Sequence, residues 1–162
     1  MSPQQPMVAV VDIDGVVADV RHRLVHVTRR PKDWKAFFAG AADDPLLPEG
    51  AEVVRRLAEV YDVVYLSGRP EQLRAVTEQW LRHHRLPPGP VRLRPERDFR
   101  PSRTFKVEVL RELSAERTVV VLVDDDPRVL DAARADGYDV LPATWMGEHP
   151  SLREAQEGEG RT

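Results

Sequence analysis

The chain has 162 residues, 14 prolines, 9 glycines and no cysteine, and its formal net charge is -3. This length fits one domain with room for a small insert. The lack of cysteine excludes a disulfide scaffold, a thiolate nucleophile and a cysteine-ligated zinc site. The first 15 residues carry neither a basic region nor a long apolar stretch. We therefore expect no signal peptide and no membrane span, and we predict a cytoplasmic protein.

Short apolar runs rich in β-branched residues alternate with helical patterns along the chain. The runs predict strands at Met7–Val11, Asp62–Leu66, Val91–Leu93, Thr118–Val123 and Tyr138–Leu141. Apolar stripes at helical spacing predict helices at Glu49–Tyr61, Glu71–Arg85, Thr104–Leu113 and Arg128–Ala135. Strands and helices that alternate at these lengths predict right-handed βαβ units, and therefore an α/β fold with a doubly wound parallel sheet.

One segment after the first strand and both ends of the chain depart from this alternation. Residues 20–48 contain three prolines and the aromatic group Trp34, Phe37 and Phe38, which predicts a small, partly helical insert. Residues 1–6 are polar and residues 148–162 have few apolar side chains, which predicts a disordered N-terminus and a flexible acidic tail. A single domain would then span residues 7–147.

Two carboxylates, Asp12 and Asp14, follow the first predicted strand directly. Ligands in open α/β folds bind at the carboxyl ends of the parallel strands. An extended chain would direct the two side chains to opposite faces, but Gly15 allows the chain to turn and bring both towards one site. A solvated acidic turn explains such a pair about equally well when it is considered alone.

Other strand ends carry compatible groups. Ser67, Gly68 and Arg69 follow the second strand, where a hydroxyl and backbone N–H groups suit a phosphate, although an ordinary turn has the same residues. Asp124, Asp125 and Asp126 follow the fourth strand, and three adjacent carboxylates repel one another unless a hard cation such as Mg²⁺ compensates them. Asp126 has the alternative role of helix N-cap.

Lysine is rare in this chain, which makes Lys106 informative. The chain has 24 basic residues, and only Lys32, Lys35 and Lys106 are lysines. Lys106 lies near the start of a predicted helix, where a compact ammonium group serves a site differently from a planar guanidinium.

The order of these motifs along the chain resembles the order found in a known protein superfamily. The sequence DxDG, then SGR, then lysine, then DD, each after a strand, resembles the haloacid dehalogenase superfamily of phosphotransferases. Within that superfamily the chain is most similar to the phosphatase domain of polynucleotide kinase/3′-phosphatases, through DIDGVVAD (Asp12–Asp19), DWKAFF (Asp33–Phe38), LSGRPE (Leu66–Glu71), LRPERDFRPSRTFK (Leu93–Lys106) and VDDDPRVL (Val123–Leu130). Asp126 departs from this pattern because the family often has arginine there, so Arg128 is the nearby candidate for the missing contact.

The resemblance implies a core of the haloacid dehalogenase type and a mechanism. Asp12 would be the nucleophile that forms an aspartyl-phosphate, and Asp14 would be the general acid and base. Mg²⁺ would be held by Asp12, the backbone carbonyl of Asp14, Asp124 and Asp125. Ser67, Gly68 and Lys106 would bind the phosphoryl oxygens.

The substrate is less defined than the chemistry. Two basic segments, Arg21–Lys35 and Arg92–Arg103, flank the predicted site, and the first is interleaved with aromatic residues, which suits nucleotides or single-strand ends. Packing of the insert explains those aromatics as well. Arg69, Arg100 and Arg128 are the candidate substrate-binding residues.

We therefore predict a phosphatase for nucleotide or polynucleotide 3′-phosphate ends. The alternatives are a phosphatase for small metabolites or 5′-nucleotides and a non-catalytic phosphate-binding or receiver-like module. Receiver domains fit poorly, since their paired acids precede the phosphorylated aspartate and here the pair comes last.

Overall fold

A parallel five-stranded sheet forms the centre of the molecule. The computed structural model describes residues 4–162. The strands lie in the order β3-β2-β1-β4-β5, and their bounds are β1 Met7–Val11, β2 Asp62–Pro70, β3 Val91–Arg94, β4 Thr118–Asp124 and β5 Val140–Pro142. The predicted α/β fold is confirmed. Strand β2 runs four residues past its predicted end because Pro70 still pairs with Arg94 beyond a break in register.

Seven α-helices connect and flank these strands in the described residues. Their bounds are α1 Val25–Thr28, α2 Trp34–Ala39, α3 Pro48–Ala58, α4 Arg74–His83, α5 Ser102–Ser114, α6 Pro127–Ala135 and α7 Pro150–Arg153. The four helices predicted from apolar stripes correspond to α3, α4, α5 and α6. A 3₁₀ turn, Glu71–Leu73, replaces the first residues predicted for α4.

The helices cover both faces of the sheet. On one face, Val11, Val63 and Tyr65 pack with side chains of α3 and α4. On the other, Val10 and Leu122 pack with side chains of α5 and α6. Alternate residues of each strand thus enter opposite cores, as expected for strands buried on both faces.

The connections reverse direction at β1. The chain leaves β1 for β2 and β3 on one side of the sheet, and then returns to β4 and β5 on the other side. A crevice forms outside the carboxyl ends of strands at such a switch point, and this is where ligands bind in open α/β sheets. Asp12 follows β1 and Asp124 ends β4, so the topology places the two acidic motifs at that crevice.

The segment predicted as an insert is partly helical and well packed. It contains α1, α2 and two 3₁₀ turns. Phe37 and Phe38 lie in a second apolar cluster with Leu152, which comes from the end of the chain. The ring of Trp34 lies 5.8 Å from that of Phe37, so these aromatics do pack the insert.

The end of the chain differs from the flexible tail predicted for residues 148–162. Pro150–Arg153 is helical, Glu154–Gly158 forms a π-helical turn, and the side chains of Leu152, Ala155 and Gln156 are buried. Few apolar residues suffice because the segment lies in the crevice at the strand ends and pairs its charges there. The prediction for the N-terminus falls partly outside the described residues, which begin at residue 4. Within residues 4–162, no helix is long and apolar enough to cross a membrane.

Candidate active site

The turn after β1 brings its carboxylates to the crevice. The backbone N–H of Asp12 donates to the carbonyl of Val123 on β4, at 2.9 Å, which joins the ends of the two central strands. Gly15 then adopts φ 81°, in the left-handed region. A side chain at Gly15 would also overlap the carboxylate of Asp125. Glycine is therefore required both for the turn and for the approach of Asp125.

Three buried carboxylates form an acidic cluster at the switch point. The cluster consists of Asp12, Asp124 and Asp125, and one oxygen from each lies within 4.8 Å of the others. The ammonium group of Lys106 lies 3.1 Å from Asp12 Oδ2 and 2.7 Å from Asp124 Oδ2. From the other side, the guanidinium of Arg153 contacts Asp125 Oδ2 at 2.6 Å.

The pKa values of this cluster are shifted because its groups are buried and because carboxylates outnumber basic groups. Burial raises the pKa of Asp12 well above its usual value, and Lys106 opposes that rise while Asp124 and Asp125 add to it. Burial and Asp124 raise the pKa of Asp125 to about 6, although Arg153 acts against this shift. Burial would lower the pKa of Lys106, but the facing carboxylates outweigh it and raise that pKa.

The cluster fits a hard divalent cation. Asp125 Oδ1 is buried and accepts no hydrogen bond, and Asp12 Oδ2 is buried with only the ammonium group of Lys106 beside it, at 3.1 Å. Buried carboxylate oxygens without a hydrogen-bond donor are costly unless a cation compensates them. The donor set contains only oxygen, which favours Mg²⁺ over softer ions. Asp12, Asp124 and Asp125 would hold the ion.

Asp14 lies in a different environment, a buried ion-pair network. Arg69 donates to Asp14 Oδ1 from Nε at 2.9 Å and from Nη2 at 2.6 Å. Arg23 Nη2 lies 3.3 Å from the same oxygen. Asp44 accepts from both guanidinium groups, at 2.8 Å from Arg23 Nε and 2.9 Å from Arg69 Nη2. Two carboxylates thus face two arginines, and all four side chains are buried.

This network keeps Asp14 ionised. Burial would raise its pKa, but Arg69 and Arg23 outweigh burial and hold the pKa of Asp14 well below its usual value. The second carboxylate oxygen, Oδ2, accepts a hydrogen bond of 2.6 Å from the hydroxyl of Thr162.

The predicted phosphate-binding residues meet at the same edge. Ser67 is fully buried, and its Oγ accepts from the backbone N–H of Arg69 at 3.1 Å. Gly68 lies against the backbone of Thr162, which a side chain at position 68 would overlap. Lys106 contacts Asp12 directly. The structure thus places Lys106 against Asp12, while Ser67 and Gly68 lie in β2, the strand next to β1.

The three candidate substrate-binding arginines have different surroundings. Arg69 is buried and engaged with Asp14 and Asp44, so it positions Asp14 in this structure. Arg100 pairs with Asp98 and Glu108 at the surface and makes no ion pair with Asp12 or Asp14. Arg128 is exposed, and only its backbone N–H takes part in the capping of α6 by Asp126. Asp126 is thus the N-cap that the sequence allowed.

Sequence reasoning missed several residues of the site. Arg23 and Asp44 lie in the insert. Arg23 contacts Asp14 directly, and Asp44 accepts a hydrogen bond from Arg23. Arg153 and Thr162 come from the segment predicted to be flexible. The basic run around Arg23 was visible in the sequence, but nothing there distinguished one arginine from its neighbours.

The structure places an aspartate paired with a lysine and an acidic cluster at the switch point of a parallel sheet, as the motifs predict for a phosphatase of the haloacid dehalogenase superfamily. The sequence model of the family described as the polynucleotide kinase PNKP phosphatase domain matches residues 6–144. This match covers most of the chain, which therefore belongs to that family. The resemblance inferred from the motifs is confirmed.

Solved structures agree with this assignment. The chain is 25% identical to one from the Pnkp1/Rnl/Hen1 complex, with a TM-score of 0.71, and the match covers 88% of this chain and 47% of the other. A second structure, of the Pnkp1/Rnl/Hen1 RNA repair complex, gives 25% identity and a TM-score of 0.69, with 85% and 42% covered. The chain therefore spans about half the length of these relatives.

A more distant likeness supports the fold alone. A haloacid dehalogenase-like hydrolase from Streptococcus pneumoniae is 13% identical, with a TM-score of 0.56, and the match covers 97% of this chain and 93% of the other. No curated protein sequence matches the chain at the required significance.

Proposed function

We propose that this phosphatase hydrolyses nucleotide or polynucleotide 3′-phosphate ends through an aspartyl-phosphate on Asp12, with Mg²⁺ as cofactor. The observation that carries the proposal is the contact of Lys106 with both Asp12 and Asp124 beside Asp125 Oδ1, a buried carboxylate oxygen that lacks a donor. A carboxylate attacks a phosphate dianion only where the charges of both are neutralised first. This buried site combines a nucleophile, a fixed ammonium group and a cation site for that purpose.

In the first half-reaction, a carboxylate oxygen of Asp12 attacks phosphorus and the bond from phosphorus to the leaving oxygen breaks. The leaving oxygen takes a proton from Asp14. In the second, water attacks phosphorus, Asp14 accepts the proton of that water, and the bond to Asp12 breaks. Ser67, the N–H of Gly68 and Lys106 bind the phosphoryl oxygens throughout. Bound Mg²⁺ supplies neutralisation of phosphate charge and orientation of the phosphate.

The ion pairs of Asp14 bear on this assignment. Arg69 and Arg23 favour the ionised form, which is the form that accepts a proton from water. Donation in the first half-reaction requires a higher pKa. An incoming phosphate dianion beside Asp14 raises that pKa by like-charge repulsion. Asp14 would then change between its protonated and its ionised form as the charge on the substrate beside it changes.

Two observations support a 3′-phosphate end as substrate. The family is defined by the phosphatase domain of polynucleotide kinases. The similar structures are chains of Pnkp1/Rnl/Hen1 complexes, one of which is described as an RNA repair complex. By this proposal the partners of the chain are nucleic-acid ends or nucleotides. The cytoplasmic location predicted from the sequence stays part of the proposal.

The test compares four substrates in the presence of Mg²⁺: a 3′-phosphorylated DNA oligonucleotide, its RNA counterpart, a nucleoside 5′-monophosphate and p-nitrophenyl phosphate. We expect the highest kcat/KM with a 3′-phosphorylated end. A higher value with the 5′-monophosphate would favour the nucleotidase alternative. The Asp12→Asn protein measures the background of each assay.

A further inference from the structure

The last residues of the chain lie in the crevice where a substrate would bind. Thr162 is only 3% exposed and donates its hydroxyl hydrogen to Asp14 Oδ2 at 2.6 Å. Its backbone lies directly against Gly68. A leaving oxygen must reach Asp14, and a phosphoryl group must reach the N–H of Gly68. Thr162 therefore occupies the place where those two parts of a phosphoester meet.

The neighbouring residue fills a second subsite. The guanidinium carbon of Arg161 lies 4.7 Å from the ring centre of Phe99 and 5.1 Å from that of Trp34. Phe99 is 54% exposed, which is unusual for a large apolar side chain next to a site. Arg161 and Phe99 also line a pocket of about 270 Å³ together with Arg94 and Pro70. A planar cation thus contacts two aromatic rings beside the phosphoryl site.

Ion pairs hold this segment in place. We call residues Glu154–Thr162 the C-terminal segment. Lys32 contacts both Glu154 and Glu159, and Arg153, just before the segment, contacts Asp125. The backbone N–H of Arg161 donates to the carbonyl of Ala155 at 2.8 Å, which folds the segment back on itself.

We propose that the C-terminal segment is an internal pseudosubstrate, and that the slot formed by Trp34 and Phe99 takes the nucleobase of the substrate when Arg161 leaves. A guanidinium and a nucleobase are both flat groups that stack on aromatic faces, so one slot accepts either. The basic residues Lys32 and Arg97 lie next to the slot and would face the phosphates of a nucleic-acid strand. The nucleobase part of the inference rests on the proposed function.

When the C-terminal segment is docked in the site, the apparent affinity of the protein for its substrate is lower. When only a fraction of molecules has the segment displaced, the apparent dissociation constant of the substrate is the intrinsic constant divided by that fraction. Any change that weakens docking of the segment therefore raises kcat/KM for every substrate that uses Asp14 and Gly68. Once the segment is displaced, a change in the aromatic slot affects only substrates that have a base.

Two glycines of the segment supply a matched pair of variants. Gly160 adopts φ 59°, and a side chain there would overlap the carbonyl of Phe99. Gly158 has no positive φ, and the nearest atom to an added Cβ is Glu154 Cγ at 3.5 Å, an ordinary contact. Gly160→Ala should displace the segment, whereas Gly158→Ala should leave it docked. Both substitutions add the same methyl group to the full chain.

We expect Gly160→Ala to raise kcat/KM with p-nitrophenyl phosphate and with a nucleoside 3′-monophosphate. Overpacking of the usual size shifts a docking equilibrium by roughly 5- to 150-fold. Deuterium exchange of residues 154–162 should rise in the same protein. Gly158→Ala should match the wild type in rate and in exchange.

The aromatic slot is tested in the Gly160→Ala background, where the segment no longer occupies it. Adding Phe99→Ala should lower kcat/KM for the nucleoside 3′-monophosphate by roughly 5- to 150-fold, as for loss of one base-stacking contact. Turnover of p-nitrophenyl phosphate should change much less. Phe99→Tyr, which keeps a ring, should restore nucleotide turnover.

The outcomes separate this inference from the proposed function. Faster exchange of the segment in Gly160→Ala without a gain in kcat/KM overturns the pseudosubstrate role. If Phe99→Ala lowers the turnover of the nucleotide and of p-nitrophenyl phosphate equally, the proposal that Phe99 binds a nucleobase is wrong. Should Gly160→Ala not fold, Arg161→Ala with Thr162→Ala removes the two docking contacts, and the same gain is required. No turnover of either ester by the wild type or by Gly160→Ala overturns the proposed function instead.

Discussion

The two aspartates of the turn after β1 lie in opposite electrostatic environments. The acidic cluster around Asp12 has more carboxylates than cations and contains a buried oxygen without a donor. The ion-pair network around Asp14 balances two carboxylates with two arginines and satisfies them by hydrogen bonds. One side of the site therefore keeps an excess of negative charge that a bound cation would offset, whereas the other is neutralised by arginines of the fold itself. A residue that binds a metal and a residue that moves a proton need these different surroundings.

Removal of the nucleophile gives the largest expected effect and probes the acidic cluster. Asp12→Asn should lose activity by a factor on the order of 10⁶, as for loss of a nucleophile in other covalent mechanisms. Its metal-free form should be no less stable than the wild type, because burial already disfavours the charge on Asp12. Steady-state assays and thermal unfolding in EDTA measure both effects. Asp19→Asn, in the nearby surface ion pair with Arg21, is the control. Retention of most activity by Asp12→Asn would refute the nucleophile assignment.

Disruption of the ion-pair network should instead affect stability most. Arg69→Gln leaves Asp14 and Asp44 short of a buried partner, which costs about 3–5 kcal/mol of unfolding free energy. Mg²⁺ should not restore this loss, since the network lies apart from the cation site. Arg100→Gln removes two surface ion pairs, with Asp98 and Glu108, and should cost no more than about 1 kcal/mol. Chemical denaturation measures both variants, and equal losses would contradict the distinction.

Metal binding should stabilise the wild type through the acidic cluster. At a concentration of 100 times the dissociation constant, Mg²⁺ adds about 2.7 kcal/mol to the free energy of unfolding. Asp125→Asn should lose most of this gain, because the oxygen without a donor belongs to Asp125. EDTA should abolish turnover and added Mg²⁺ should restore it. If EDTA leaves the activity unchanged, the reaction does not require the metal.

The smallest expected difference between the acidic cluster and the ion-pair network is in how the free energy of unfolding depends on pH. The pKa of Asp125 is raised to about 6 in the folded protein, so between about pH 4 and 6 the folded state binds more protons than the unfolded state. Asp125 alone should therefore cost the metal-free protein up to about 1.4 kcal/mol per pH unit as pH rises through this window. The pKa of Asp14 is lowered, so its contribution is already complete above about pH 4 and is lost only at lower pH.

Chemical denaturation in EDTA at several pH values measures this slope. Asp125→Asn should remove much of it, and the remainder belongs to Asp12 and Glu157, whose pKa values burial also raises. A slope unchanged in Asp125→Asn would place the titrating group elsewhere.

The sequence predicted the fold and the acidic cluster because both depend on local pattern. Apolar runs predict buried strands, and the ends of parallel strands meet at one edge of the sheet. Asp12, Ser67 and Asp124 could therefore be brought together without coordinates. Lys106 stood out because lysine is rare in this chain.

The ion-pair network could not be predicted in the same way. Arg23 and Asp44 join Asp14 only through the path of the insert, which no periodic pattern defines. Arg69 looked like a phosphate ligand because of its position after β2, but its partners are set by Asp14 and by Asp44. The C-terminal segment was misjudged for a related reason. Its order comes from contacts with Asp125, Asp14 and Lys32 that are distant in sequence.

The hydrogen bonds of Arg23 and Asp44 also limit how this domain can be recombined with others. Both residues belong to the insert, and together they complete the charge balance around Asp14. A chimera that exchanges residues 20–48 for another insert would keep every catalytic residue and yet leave Arg69 and Asp14 with half of their partners. The insert and the sheet must therefore be designed, or must evolve, as one unit.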